Sequence, residues 1–199
     1  LEAVDERTRI VFFANPANPT GSWLPFSEIK RLHAGLRDDV LLLLDGAYVE
    51  CAVGLSGFSD GLAWARDKAN VIVTRTFSKV YGLAGLRIGW GYAPVAVADA
   101  LDRIRLPFSV PRAGEAAAVA ALGDDAFVAR SVAQFRRGCV RLDEGLRALG
   151  VRSLPSATNF VTAHFGDAVR AQRIEEALAA QGILVRGLKG YAMPECLRI

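Results

Sequence analysis

An α/β fold is predicted here: a mostly parallel sheet with flanking helices, followed by a smaller α+β unit. Three observations predict it. Short apolar runs at residues 10–14, 40–44 and 71–74 each end in polar or turn-forming residues. Between them lie stretches whose apolar residues recur at helical spacing, such as Phe26, Ile29, Leu32 and Leu36. Strands alternating with helices favour parallel pairing, with strands buried on both faces. After residue 150 the strand and helix patterns become shorter, as in a small mixed unit.

Taken in order, residues 1–4 read as the end of a helix leading into the first strand. That strand closes on the turn-rich Asn15-Pro16-Ala17-Asn18-Pro19-Thr20-Gly21. A helix over residues 25–36 precedes a buried strand at 40–44, and another strand covers 71–74. Helical patterns resume at 95–104 and 113–122, with Val110-Pro111 as punctuation. From 125 to 149 the stripe Val128, Val132, Phe135, Cys139, Leu142, Leu146 and Leu149 marks one long core-facing helix, capped by Asp124 or Asp125 and stopped at Gly150. It lasts too few heptads to be read as a coiled coil. The tail reads as a strand (160–164), a helix (168–181), a strand (183–186) and a last strand at Leu197. The expected organisation is a large-domain part over residues 1–100, connecting helices over 101–149, and a small domain over 150–199.

Composition narrows the function. With 52% hydrophobic and 23% charged residues, the chain is built to bury a core rather than to stay disordered. No apolar run approaches the ~18 residues of a membrane span, and nothing resembles a secretory leader. Cys51, Cys139 and Cys196 are far apart and odd in number, which fits a reducing cytoplasm better than a disulfide framework. A net charge of +3 with dispersed arginines suits a small anionic ligand and lacks the basic stripe of a nucleic-acid binder. His33 and His164 have no metal partner at ligand spacing in the sequence.

The chemistry concentrates in one run, Thr74-Arg75-Thr76-Phe77-Ser78-Lys79-Val80-Tyr81-Gly82-Leu83-Ala84-Gly85-Leu86-Arg87-Ile88-Gly89. A lysine follows a strand end and two hydroxyls, and an arginine arrives eight residues later. Such an amine can form a Schiff base with an aldehyde while the hydroxyls and guanidinium hold that aldehyde's phosphate. Pyridoxal 5'-phosphate is the aldehyde of that description. Asp45, after four leucines, lies at a strand's carboxyl end, where open α/β sheets bind ligands. Burying it calls for a cation, and a protonated pyridine nitrogen is one. Asn18 and Tyr48 are placed to hydrogen-bond the ring's phenolic oxygen. Gly82, Gly85 and Gly89 do not form a dinucleotide fingerprint.

The order Asn18-Pro19-Thr20-Gly21, then Asp45-Gly46-Ala47-Tyr48, then Thr76-Phe77-Ser78-Lys79 with Arg87 resembles the fold type I, pyridoxal-phosphate-dependent aminotransferases of classes I and II. Residues 105–110, Ala157-Thr158-Asn159-Phe160-Val161 and Pro194-Glu195-Cys196-Leu197-Arg198-Ile199 extend the likeness along the whole chain. The resemblance implies that Lys79 is the Schiff-base lysine and Asp45 the pyridinium partner. It further implies that Asn18 and Tyr48 contact the phenolic oxygen and Thr76, Ser78 and Arg87 the phosphate. Arg198, with Arg186 and Asn159, would meet the substrate.

Within the family the likeness is greatest to the histidinol-phosphate branch. That branch implies transamination between histidinol phosphate and 2-oxoglutarate in histidine biosynthesis, by a cytoplasmic homodimer. Small anionic amino donors and acceptors would be its partners, with no nucleic acid or membrane. An aromatic amino-acid aminotransferase, a threonine-phosphate decarboxylase and a non-catalytic cofactor-sensing domain are the alternatives. Both ends read as cut. The family's N-terminal phosphate loop, its ring-stacking aromatic residue and its dimer arm are expected outside these 199 residues, as is the end of the small domain.

Overall fold

The structure, a computed structural model, describes residues 1–199, whose contacts divide into two compact units. One comprises Leu1–Pro16 with Leu24–Ser131, the other Ala17–Trp23 with Val132–Ile199.

The first unit is built on a sheet in the order β1 (Ile10–Ala14), β2 (Leu41–Asp45), β3 (Val71–Thr76) and β4 (Gly89–Tyr92). β1, β2 and β3 run parallel, and β4 closes the sheet antiparallel to β3. Helix α1 (Phe26–Ala34) crosses from β1 to β2, and the short helices α2 (Val49–Ala52) and α3 (Leu62–Ala65) lie between β2 and β3. The core gathers on one sheet face, where Ile29, Leu36 and Ala65 meet Leu42, Leu44, Val71 and Val73. Alternation along a strand sends every second side chain to the opposite face. There Phe12 is 71% and Ile10 43% exposed, so the expectation of burial on both faces fails at β1. Helices α4 (Val95–Ile104) and α5 (Arg112–Leu122) follow β4.

Helix α6 (Asp125–Ala148) has the expected N-terminal cap, the Phe127 N–H donating to Asp124 Oδ1 at 2.9 Å. After it Gly150 takes a positive φ of 72°, which a side chain would resist. No residue of α6 is fully buried, and Leu149 is 77% exposed, so its stripe is shallower than the spacing suggested.

The second unit holds an antiparallel sheet in the order β5 (Arg152–Leu154), β6 (Thr162–His164), β8 (Cys196–Arg198), β7 (Arg186–Gly187). Helix α7 (Ala168–Ala179) packs Ala171 against Val151, Ala163, Phe165 and Leu197. Its cap is the Asp167 carboxylate, which accepts from the Arg170 N–H at 2.9 Å.

Several expectations need correction. Residues 1–4 form a turn closed by Val4 N–H to Leu1 O, with no helix. The strand expected at 183–186 is only the pair Arg186–Gly187. β4 and β5 were not anticipated: Gly-Trp-Gly-Tyr and Arg-Ser-Leu are too short and mixed to show a period of two. All three cysteines are free thiols. No helix is long and apolar enough to cross a membrane.

Candidate active site

Parallel strands deliver their carboxyl ends to one edge, and here that edge collects the chemistry. Asp45 ends β2 in register with Thr74, while Thr76 ends β3 two residues further on the same face. The Asp45 carboxylate is oriented by its own turn, Oδ1 accepting from the Ala47 N–H at 3.0 Å. It is exposed, contrary to the burial argument made from the leucine run, because the strand's last residue projects past the sheet's edge. Tyr48 follows, buried at the start of α2.

The segment after β3 is pinned by two buried side chains, Phe77 and Val80, which leave Lys79 between them exposed. Its backbone is closed by Phe77 N–H to Ile88 O at 3.2 Å and Gly82 N–H to Lys79 O at 3.0 Å. The geometry sets Lys79 Nζ 5.4 Å above the Tyr48 ring centroid. The Thr76 hydroxyl oxygen accepts from the Ser78 N–H at 3.0 Å, which leaves its proton to donate. Arg87 sits in the left-handed region, with φ 53° and ψ 45°. For a residue with a Cβ this costs roughly 1–2 kcal/mol, and it persists only where surroundings fix it. The guanidinium Nη1 donates to Ala84 O at 2.7 Å and reaches Ser78 Oγ at 3.4 Å. Two hydroxyls and a guanidinium thus share one corner, the donor set a phosphate dianion wants. An amine, an anion cradle and a carboxylate at one sheet edge fit pyridoxal 5'-phosphate.

The remaining candidates belong to the second unit. Arg198 lies in β8, directly opposite Thr162 of β6 and Arg186 of β7. Its guanidinium donates through Nη1 to Asn18 Oδ1 at 2.5 Å and rests 5.0 Å from the Phe160 ring centroid. This bond fixes the Asn18 amide: its oxygen is committed to Arg198, so its NH2 group is the part left to donate outward. The Asn18-Pro19 turn is itself held by the Thr162 hydroxyl, which donates to Pro19 O. The exposed Arg186 side chain makes no hydrogen bond or ion pair. Like charges directly across a ladder are unfavourable, and a shared anion relieves them. Asn159 is half-buried and makes no hydrogen bond, so nothing in the second unit's geometry singles it out. Phe160 and Thr162 escaped sequence reading, since both look like ordinary strand residues.

Two further clusters hold titratable groups, one in each unit. Glu50 of α2 is held above its usual range chiefly by burial, against the pull of Arg75 and a hydrogen bond from Tyr81. Tyr81 is raised as well, first by burial and then by the Glu50 charge. A carboxyl raised in the folded state binds its proton more tightly there than in the unfolded chain. Its stabilising contribution is full below pH 4.5 and is lost as pH climbs through the higher folded value. Glu50→Gln in the full-length protein should flatten that decline, measured as denaturation midpoints as the pH is raised from below 4.5.

His164, Glu195 and Cys196 place their ligand atoms within 4.8 Å of one another, a grouping the sequence spacing hid. His164 Nδ1 accepts from the Gly166 N–H at 3.2 Å, so Nε2 carries the ring proton and faces Glu195 at 3.9 Å. In that neutral tautomer the Nε2–H faces the Glu195 carboxylate at a distance too long for a hydrogen bond. His33 is likewise spoken for, with Nε2 2.8 Å from Asn70 Oδ1.

A mostly parallel sheet with this lysine, carboxylate and hydroxyl–arginine corner defines a fold type I aminotransferase architecture. The chain belongs to the family Aminotransferase class I and II, which it matches over residues 1–199. It is 50% identical over 200 residues to the histidinol-phosphate aminotransferase of Rhodospirillum centenum, covering 100% of this chain and 55% of that protein. Identity to histidinol-phosphate aminotransferase 1 of Caulobacter vibrioides is also 50%, over 201 residues, 100% of this chain and 56% of that one. Among solved structures, histidinol-phosphate aminotransferase from Sinorhizobium meliloti in complex with pyridoxal-5'-phosphate superposes with a TM-score of 0.88 at 37% identity. That match covers 96% of this chain and 52% of the other. The chain therefore spans about half the length of the relatives it matches.

Proposed function

We propose that the full-length protein containing this chain is a pyridoxal-phosphate-dependent aminotransferase acting on histidinol phosphate and 2-oxoglutarate. It would yield imidazole-acetol phosphate and glutamate in histidine biosynthesis. The observation that carries the reading is Lys79 Nζ standing over the Tyr48 ring beside the Thr76, Ser78 and Arg87 donors. The 50% identity to curated histidinol-phosphate aminotransferases favours that branch over an aromatic aminotransferase or a threonine-phosphate decarboxylase.

Bound pyridoxal 5'-phosphate would supply an electron sink for the negative charge left when a substrate carbon gives up its proton. The rest is done by side chains of this chain. Arg87 and the Thr76 and Ser78 hydroxyls would hold the phosphate. Asp45 would hold a proton on the ring nitrogen and Tyr48 would donate to the phenolic oxygen; Asn18 is assigned to that oxygen on family likeness alone. Lys79 would be the amine that holds the cofactor's aldehyde and, once free, the base that moves the proton at the substrate carbon. Arg198, with Arg186 beside it, receives the substrate's anionic end. A guanidinium fork accepts a carboxylate and a phosphate alike, which suits one site serving both half-reactions. Asn159 is assigned to the substrate on family likeness alone. We place the protein in the cytoplasm as a homodimer, a placement the three free thiols suit.

The test is a substrate panel on the full-length protein. Turnover of histidinol phosphate with 2-oxoglutarate should exceed that of tyrosine or phenylalanine, and threonine phosphate should release no carbon dioxide. A preference for aromatic donors would overturn the substrate, and cofactor binding without turnover would overturn the enzyme.

Arg198→Lys gives a sharper check. Lysine keeps the charge but loses the fork and the bond that fixes Asn18, so KM should rise about tenfold or more for both glutamate and histidinol phosphate. An equal loss with a neutral amine donor would mark the arginine as structural.

A further inference from the structure

Arg75 is a charged residue inside a central strand, and the mechanism above gives it no task. Strand alternation puts Thr74 and Thr76 on the face that carries Asp45 and sends Arg75 to the opposite face. Its side chain is only 6% exposed, which for a guanidinium is tolerable only if the group is fully engaged. It is engaged on every side. Nη2 pairs with Asp60 Oδ2 at 2.9 Å, Nη1 donates to Thr74 O at 3.2 Å, and the group lies 5.7 Å from the Trp90 ring centroid. The Glu50 carboxyl also feels its charge.

The contact that matters is with Gly46, the residue after Asp45. A Cβ on Gly46 would lie 1.9 Å from Arg75 Nη1, 2.8 Å from Cζ and 3.0 Å from Thr74 O. The guanidinium therefore occupies the volume that any side chain at residue 46 would need. Thr74 O accepts twice, from Arg75 Nη1 and from the Gly46 N–H at 3.0 Å. The next N–H along, that of Ala47, is the one that orients the Asp45 carboxylate. On its other side Gly46 O accepts from the Val49 N–H at 3.3 Å, which opens the helix that carries Tyr48 at its start.

We infer that Arg75 is a positioning residue: by packing against Gly46 and bonding Thr74 O, it sets the backbone that aims Asp45 and Tyr48 at the cofactor. The inference rests on the aminotransferase reading above and adds to it a residue on the far face of the sheet. Asp60 compensates the charge from its exposed end of the pair. A lysine cannot replace the arginine, since one ammonium cannot reach Asp60 and Thr74 O while filling the space behind Gly46.

The experiment is a double-mutant cycle in the full-length protein with Arg75→Ala, Gly46→Ala and the pair, and Arg75→Lys as the conservative variant. Two readouts are taken: the dissociation constant for pyridoxal phosphate, and the pH midpoint of the bound cofactor's visible absorption. Arg75→Lys and Gly46→Ala should each weaken cofactor binding on the order of tenfold and move the absorption midpoint in the direction that Asp45→Asn moves it. Misplacement by about 1 Å is enough for effects of this size or larger. With Arg75 shortened the clash at residue 46 is relieved, so Gly46→Ala should then cost less than about threefold, a coupling that contacting residues show. Losses that simply add, or a midpoint unmoved in Arg75→Lys, would overturn the inference. Wild-type attachment of the cofactor to Lys79, measured in the same series, tests the aminotransferase reading separately.

Discussion

Lys79→Ala in the full-length protein is expected to abolish covalent attachment of pyridoxal phosphate and to lower transamination by about 10⁴-fold or more. A positioned acid–base alone contributes up to roughly 10⁴, and here the same nitrogen is also the attachment point. The substitution should leave the fold in place, because the segment is pinned by Phe77 and Val80 while Lys79 itself is exposed. Borohydride reduction of the wild type followed by peptide mapping should place the cofactor on Lys79. The competing amines have other settings: Lys30 lies over the Phe26 ring at 5.1 Å and Lys68 over Trp64 at 5.7 Å. Neither stands beside hydroxyls and an arginine. A label on Lys68 or Lys189, or visible absorption retained by the alanine variant, would refute the assignment.

The parts of the fold visible in the sequence were those whose burial is regular. β2 and β3 are largely apolar runs, as interior strands of a parallel sheet tend to be, and α1 shows its buried Ile29 on a helical face that packs against them. β4 and β5 were not visible, because Gly89, Gly91 and Arg152 carry no apolar period; backbone pairing to β3 and β6 places those strands. The lysine, the hydroxyls and Arg87 were legible because their spacing is dictated by one tight segment. Even there, nothing in the spacing marks the left-handed backbone from which Arg87 reaches Ser78.

Long-range support was the least legible. The bond from Arg198 to Asn18 spans most of the chain, and Thr162 reaches Pro19 from a strand with no distinguishing pattern. The contact of Arg75 with Gly46 likewise joins two strand ends that no local pattern connects. Asp45 shows the opposite error. Its place at a strand end was read correctly, but the burial inferred from the preceding leucines was not, because burial stops where the sheet's edge does.

Asp45→Asn separates charge from shape at that edge. Asparagine presents an oxygen at the same position, so the Ala47 N–H keeps an acceptor and the turn survives. What disappears is the negative charge opposite the ring nitrogen, and with it the reason for that nitrogen to hold a proton. The cofactor then draws electrons less strongly, so the step that suffers is removal of the proton from the substrate carbon. A loss on the order of 10²–10³ in the single-turnover rate is expected, as for other preorganised electrostatic partners. The deuterium isotope effect at that carbon should rise as proton transfer becomes rate-limiting. Cofactor affinity should change less than the rate, since Thr76, Ser78 and Arg87 still hold the phosphate. Asp45→Ala should cost more in affinity than Asp45→Asn, because it removes the Ala47 acceptor as well and frees the backbone leading to Tyr48. Equal single-turnover rates in wild type and Asp45→Asn would show that the carboxylate does not face the ring nitrogen.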